Sequence, residues 1–183
     1  INLSLGAKEA VPCTGGYASI FEAAVSRGIT VIAAAGNDSR ASLSFPGNCE
    51  GVISVVATHA EGDRASYSNY GEGTVLAAPG GDQNVASTES PDSRGVILST
   101  WVDATNSSEY RLDQGTSMAA PIVSGIVALM YSMQPNIKPE RVKTILQSSV
   151  RPFAAGTNCA ISGGCGAGIV NAQQALARTS ALR

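Results

Sequence analysis

The run of residues 29–35, Ile-Thr-Val-Ile-Ala-Ala-Ala, is the feature that most restricts what this chain can fold into. It is largely apolar and rich in β-branched side chains, which is the composition of a strand covered on both faces. Residues 17–27 before it carry apolar side chains at helical spacing and are followed by Gly28, a typical helix stop. With a strand predicted at residues 2–5, this makes a strand–helix–strand crossover, the unit of a parallel sheet. The sequence therefore predicts an α/β fold.

The rest of the chain continues this pattern. Further strands are predicted at residues 52–57, 74–77 and 168–170, and further helices after Ser117, at 139–149 and, capped by Asn171, at 172–178. Two polar stretches, residues 80–95 and 101–114, are predicted to be loops. The chain of 183 residues is about one domain long and shows no internal boundary, so residues 1–183 are expected to form a single domain.

Charge and hydropathy argue against two classes of partner. The net charge is −2 and the basic residues are scattered, so no nucleic-acid surface is expected. The longest apolar run follows Ser117, is interrupted by Ser124 and Gly125, and falls short of the ~20 residues of a membrane span, so no membrane contact is expected. The chain opens at Ile1 inside a strand-like pattern, which is typical of a fragment or a processed piece.

The four cysteines favour disulfides over a metal site. No Cys-x-x-Cys pair occurs and His59 is the single histidine, so a zinc site is not expected. Cys159 and Cys165 close a short glycine-rich loop, and Cys13 and Cys49 then pair by elimination, although four cysteines allow three connectivities. Disulfides indicate an oxidising compartment and hence a secreted protein. The alternative is a cytosolic protein with four buried thiols.

The segment Gly115-Thr116-Ser117-Met118-Ala119-Ala120-Pro121 places one hydroxyl at the start of an apolar helix. A serine there lies at the positive end of the helix and offers its backbone N–H to an anion. This is the geometry that an acyl-transfer nucleophile needs. On spacing alone, a simple helix cap is the more common use of such a serine.

This segment resembles the nucleophile motif of the subtilisin-like serine proteases, the subtilases. Several other segments resemble motifs of that family in the family's order: Ile1-Asn2-Leu3-Ser4-Leu5-Gly6, Val31-Ile32-Ala33-Ala34-Ala35-Gly36-Asn37-Asp38, Phe45-Pro46, Tyr67-Ser68-Asn69-Tyr70-Gly71 and Ala77-Ala78-Pro79-Gly80. The resemblance runs from Ile1 to about Ala177. It implies a three-layer fold, with helices flanking a mostly parallel sheet that here lacks its N-terminal part. The chain would be the C-terminal part of a catalytic domain.

The resemblance also implies roles for individual residues in the hydrolysis of polypeptide substrates. Ser117 would be the nucleophile, the Asn37 side chain and the Ser117 N–H would bind the oxyanion, and Thr116 would add a weaker contact. The walls of the main specificity pocket would be Ser4, Leu5 and Gly6 on one side and Ala34, Ala35 and Gly36 on the other. Asp38 would either favour a basic substrate residue at the rim of this pocket or lie in solvent.

The general base is missing from this sequence. Subtilases carry an aspartate motif and a histidine motif upstream of the serine, and neither occurs here. His59 is expected to be a solvated loop residue, and Asp63, Asp103 and Asp113 lack the family context. The isolated chain is therefore expected to be inactive, and the N-terminal portion of the same catalytic domain is the expected partner that supplies both residues.

Two alternatives to a protease remain at the level of sequence. One is a non-catalytic binding or scaffold protein built on the same fold. The other, an α/β-hydrolase, is disfavoured because its nucleophile elbow needs glycine where this chain has Ala119.

No cofactor is required for the expected chemistry. The resemblance allows a structural calcium in the parent enzyme, at the carbonyl groups of Gly47, Cys49 and Val52. The acidic residue that often completes that site is matched here by Val75, so no metal site is expected in this chain. The alternative is a weak calcium site formed by carbonyl groups and water.

Overall fold

The computed structural model describes residues 1–8, 11–85 and 95–182. Its central sheet has four parallel strands that lie side by side in sequence order: β1 (Asn2–Leu3), β2 (Ile32–Ala34), β3 (Ile53–Thr58) and β4 (Leu76–Pro79). Parallel neighbours need a long crossover between them. The parallel sheet expected from the sequence is confirmed, although β1 and β2 are shorter than predicted and β4 begins two residues later.

The described residues contain five helices: α1 (Gly16–Ser26), α2 (Thr116–Met133), α3 (Pro139–Ser148), α4 (Asn158–Ser162) and α5 (Ala172–Ser180). Successive side chains of a strand point to opposite faces of the sheet. Ile32 and Ala34 accordingly lie in one core with α2, α3 and α5, whereas Val31 and Ala33 pack with Phe21 of α1 in another. Helices therefore cover both faces, and the three-layer α/β architecture is confirmed.

Helix α2 is the central helix of the domain. It contacts all four strands of the parallel sheet and also α5. By length and composition alone it is apolar enough to cross a membrane, with 18 residues and a mean hydropathy of 1.4. A core helix has the same composition, and the buried residues of α2 pack in the sheet-facing core, so this is weak evidence for a membrane span. The expected lack of membrane contact stays a prediction.

The prediction of a loop at residues 101–114 is wrong, because most of this stretch belongs to an antiparallel hairpin. Strand β5 (Ile97–Val102) pairs with β6 (Ser108–Asp113) along six residues each. Asp103 closes the turn, since its carboxylate accepts the N–H groups of Thr105 and Ser107. Both strands are exposed along almost their whole length, so no buried apolar face marks them in the sequence.

One further prediction needs correction, and another lies partly outside the described residues. The strand expected at 168–170 is reduced to isolated bridges from Ile169 to Ala77 and Arg151. Within the loop predicted at 80–95, residues 86–94 are not among the described residues.

Both disulfides link the pairs favoured by the sequence. Cys13 is bonded to Cys49 with a Cα–Cα distance of 5.2 Å, and Cys159 to Cys165 with a distance of 5.5 Å. The first ties the segment after β1 to the loop before β3. The second closes the small loop around α4.

Asp63 fastens α4 to the end of the sheet. Its carboxylate accepts hydrogen bonds from the backbone N–H of Asn158 at 2.8 Å, the Asn158 side chain at 2.9 Å and the backbone N–H of Cys159 at 3.2 Å. Burial by itself would raise the pKa of Asp63. The hydrogen bonds from the N–H groups of Asn158, Arg64 and Cys159 outweigh it and hold the pKa below the ordinary value of 3.8.

Asp63→Asn is expected to destabilise the protein by about 1 kcal/mol at neutral pH, because an amide oxygen accepts hydrogen bonds more weakly than a carboxylate. Since the folded-state pKa is lowered, the stabilisation is present above the unfolded value near 3.8 and is lost as the pH falls through the folded value. Thermal unfolding at a series of pH values measures this, with Glu72→Gln at an exposed carboxylate as the control. If the difference in Tm between the wild type and Asp63→Asn stays the same into strong acid, the charge of Asp63 does not provide the stabilisation.

Candidate active site

The two segments that the sequence singled out meet at the carboxyl end of β2. Residues Gly36 and Asn37 follow that strand, and the first turn of α2 begins beside them with Thr116. Thr116 donates twice to the Asn37 side-chain oxygen, from its backbone N–H at 2.9 Å and from its hydroxyl at 2.8 Å. These bonds fix which way the amide of Asn37 faces. Its Nδ2 group lies beside Gly115, at the start of the helix.

Thr116 acts through Asn37 in this arrangement. Its side chain is fully buried, and its hydroxyl oxygen also accepts the N–H of Gly36 at 3.2 Å. The hydroxyl proton of Thr116 is thus directed at Asn37. The resemblance had led us to expect that this hydroxyl would contact the oxyanion directly and weakly. The Ser117 N–H next to it belongs to the first turn of α2, where amides have no intrahelical acceptor.

Gly36 is required by the close packing behind Asn37. Its φ of +109° is one that residues with a side chain rarely adopt, and a Cβ there would overlap Ser44 Oγ and Asn69 Nδ2. Asn69 is 1% exposed, and its oxygen accepts the N–H groups of Asp38 and Arg40 at 2.9 and 3.0 Å. Sequence reasoning missed this supporting role of Asn69. Its only signal was its place in the Tyr-Ser-Asn-Tyr-Gly motif.

Ser117 and Ser4 hold each other at the start of α2. The Ser4 hydroxyl donates to the Ser117 carbonyl at 2.8 Å, and the Ser117 hydroxyl lies 3.3 Å from the Ser4 carbonyl as a donor. Pro121 explains the first contact. As the sixth residue of α2 it lies beyond the amides that need no partner, and its missing N–H would otherwise bond the Ser117 carbonyl. Ser4 therefore replaces the donor that Pro121 lacks.

A cleft of about 210 Å³ opens beside Ser117. Four of the six predicted wall residues line it, namely Leu5, Gly6, Ala34 and Gly36, together with Ala7, Lys8, Asn37, Asp38, Ser44, Thr116 and Ser117. Of the other two, Ser4 contacts Ser117 directly. Ala35 is fully buried and packs in the core with Val56 and Ala77.

The histidine and the three aspartates considered from the sequence all make hydrogen bonds elsewhere than with Ser117. His59 Nδ1 accepts the N–H of Glu61 at 3.2 Å, within a turn after β3. Asp63 binds α4, Asp103 closes the hairpin turn, and Asp113 accepts the N–H of Gln114 at 2.8 Å. The hydrogen-bond partner of the Ser117 hydroxyl in the described part is a carbonyl, which cannot act as its general base.

The carbonyl groups expected for calcium are not joined by a carboxylate. Val75, at the position of the missing acid, is buried at 1% exposure, and the Cys49 carbonyl already accepts the N–H of Val52 at 3.2 Å. No group of three or more His, Cys, Asp or Glu residues that could hold a metal occurs within residues 1–8, 11–85 and 95–182. The carbonyl groups therefore have no acidic ligand at the position of Val75.

Fold and site together define an α/β protein that presents a serine hydroxyl at the start of its core helix, beside an amide held by that helix. The chain belongs to the subtilase family, whose model matches residues 1–168.

Named relatives agree with this assignment. The chain is 43% identical over 178 residues to an extracellular protease of Xanthomonas campestris pv. campestris, covering 96% of this chain and 28% of that protein. It is 35% identical over 181 residues to the extracellular basic protease of Dichelobacter nodosus, covering 96% of this chain and 27% of that protein. A solved protease structure from Pseudoalteromonas arctica is similar with a TM-score of 0.85 and 39% identity, over 98% of this chain and 50% of that one. The chain thus spans half of that structure and little more than a quarter of the two relatives.

The contact between Ser4 and Ser117 predicts a coupling with Pro121. Ser4→Ala alone is expected to cost about 1 kcal/mol of unfolding free energy, because it leaves the Ser117 carbonyl without a donor. In a Pro121→Ala background the new N–H bonds that carbonyl, so the same Ser4 substitution is expected to cost clearly less. Denaturant unfolding of the four full-length proteins measures the coupling. If Ser4→Ala costs the same in the wild type and in the Pro121→Ala protein, the Ser4 hydroxyl does not take the place of the N–H that Pro121 lacks.

Proposed function

We propose that this chain forms the C-terminal part of the catalytic domain of a secreted serine endopeptidase, with residues 1–183 in a single domain. Ser117 is the nucleophile, and the Asn37 side chain and the Ser117 N–H bind the oxyanion. The observation that carries the proposal is the pair of hydrogen bonds from Thr116 to Asn37. Both occupy the amide oxygen, which leaves the amide nitrogen as the donor on the side of the helix start.

The geometry suits acyl transfer. The Ser117 oxygen attacks the carbonyl carbon of the substrate, and the hydroxyl proton passes to a general base. Negative charge then develops on the carbonyl oxygen, where preorganised N–H donors lower the barrier. The base returns the proton to the leaving amine, and water hydrolyses the acyl-enzyme in a second, similar step.

The base comes from outside the described residues in this proposal. We assign it, with the aspartate that orients it, to an N-terminal portion of the same catalytic domain. Strand β1 pairs only with β2 in the described sheet, so its other edge offers backbone groups to a further strand. Apolar side chains also lie exposed at Ile1, just before β1, and at Leu129 and Met133 of α2. An isolated chain without that portion is expected to hydrolyse peptides very slowly.

Secretion is part of the proposal because of the two disulfides and the relatives. Disulfides persist in oxidising compartments, and the proteins of Xanthomonas campestris and Dichelobacter nodosus are named as extracellular. Polypeptides are the proposed substrates. The cleft lies between the segments 5–8 and 34–38, and an extended peptide can lie there as an added strand.

Ser117→Ala in the full-length protein is expected to abolish peptide hydrolysis, because it removes the nucleophile. The same position should carry the covalent adduct after treatment with a serine-directed phosphonylating inhibitor, as read by peptide mass spectrometry. Ser132→Ala, at an exposed position of the same helix, is the matched control and should keep full activity. Hydrolysis that persists in Ser117→Ala contradicts the proposal, and a folded parent protein without any hydrolysis favours a binding or scaffold role.

Asn37→Ala is expected to lower kcat by about 10²–10³ with little change in KM, because the lost donor serves mainly the transition state. That magnitude comes from a subtilisin, a member of the same family, and is carried over here. The control is Asn136→Ala in the exposed turn after α2. A loss expressed mainly in KM instead assigns Asn37 to substrate binding.

A further inference from the structure

Asp38 and Lys8 lie on opposite walls of the cleft beside Ser117. Asp38 follows Asn37 on the wall that extends β2, and Lys8 ends the described segment that extends β1. A free carboxylate in that position attracts a basic substrate side chain. The state of Asp38 therefore decides what this cleft accepts.

Arg40 neutralises Asp38. Its Nη2 group lies 2.6 Å from Asp38 Oδ2, and the same nitrogen donates to the Lys8 carbonyl on the other wall. Arg40 itself does not line the cleft. One guanidinium thus offsets the carboxylate charge of one wall and joins that wall to the other, with the two side chains 33% and 41% exposed.

The backbone of Arg40 is held by two hydrogen bonds. Its N–H donates to the buried Asn69 at 3.0 Å, and its carbonyl accepts the N–H of Tyr70 at 3.0 Å. Asn69 also holds the N–H of Asp38, so one buried side chain sets both members of the ion pair. Because the two backbones are held in place, forming the pair requires ordering of the two side chains alone.

We infer that Arg40 is a specificity-determining residue that makes the cleft prefer uncharged substrate side chains over basic ones. It does so by neutralising Asp38 and joining the Asp38 wall to the carbonyl of Lys8. The inference rests on the proposed endopeptidase function, because it concerns the residue on the acyl side of the cleaved bond. Arg40 is a positioning residue in this reaction, since it acts on the substrate through Asp38.

The test compares peptide substrates that carry either Lys or Leu at the residue before the cleaved bond. In Arg40→Met the side-chain volume is similar but the charge is gone, so the ratio of kcat/KM for Lys over Leu is expected to rise roughly two- to fivefold, the range of a partly exposed charge pair. In Asp38→Asn the guanidinium is left without its partner, so the ratio should fall below that of the wild type. The double variant is expected to return close to the wild-type ratio, since both charges are removed together.

A loss of stability cannot produce these differences in the Lys-to-Leu ratio of kcat/KM among the variants. A variant that is merely less well folded lowers the rates for both peptides alike and leaves the ratio unchanged. An unchanged ratio in Arg40→Met, or a rise of the same size in the double variant, overturns the inference. Arg40→Lys keeps a positive charge and should hold the ratio near that of the wild type.

Binding to the Ser117→Ala protein separates the inference from the proposed function. That variant lacks the nucleophile but keeps the cleft, so fluorescence anisotropy with labelled Lys and Leu peptides reports selectivity without hydrolysis. A wild-type protein that cleaves neither peptide contradicts the proposed function alone. The same affinity ratio in the Ser117→Ala protein and in Ser117→Ala/Arg40→Met overturns the role of Arg40 alone.

Discussion

The two hydrogen bonds from Thr116 to Asn37 are the interaction on which the site depends. They join residues that are 79 positions apart in the chain, one at the end of a strand and one at the start of the core helix. An amide has two different ends, and a site that needs its N–H as a donor must keep the oxygen occupied. Thr116 does this with both of its own donors, so the orientation of Asn37 is fixed before any substrate binds.

That contact requires α2 to approach the sheet closely. Ala119, Ala120 and Val123 are fully buried on the side of α2 that faces the strands, and their small size lets the helix lie near them. At the carboxyl end of β4 the approach is closer still. The N–H of Gly115 donates to the Gly80 carbonyl at 2.9 Å, and a Cβ at Gly80 would lie 2.7 Å from the Gly115 carbonyl oxygen. The glycines and alanines of these motifs thus serve the geometry of Asn37 and Ser117, although they take no part in the chemistry.

The sequence predicted the elements that carry apolar residues in a helical or strand pattern and missed a hairpin that lacks such a pattern. Strand β3 and helix α3 carry apolar side chains in the pattern that burial demands, and both were found near their true limits. The hairpin of β5 and β6 was read as a loop because its strands pair with each other while almost all of their side chains remain exposed. Cross-strand hydrogen bonds leave no trace in a hydrophobic pattern. At residues 168–170 the opposite happened, because the sequence predicted a strand where buried Ile169 only forms isolated bridges to Ala77 and Arg151.

Within the site, motifs identified the residues but not their connections. Asn37, Thr116 and Ser117 were all named from the sequence, yet the use of the Thr116 hydroxyl and the compensation of Pro121 by Ser4 depend on the packing of β1 and β2 against α2. Asp38 illustrates the limit most clearly. Its sequence position allowed either a rim charge or a solvated carboxylate, and the structure places it at the cleft but pairs it with Arg40, two residues on. Buried Asn69 accepts the N–H groups of both residues, so a side chain distant in the sequence helps to place this ion pair at the cleft.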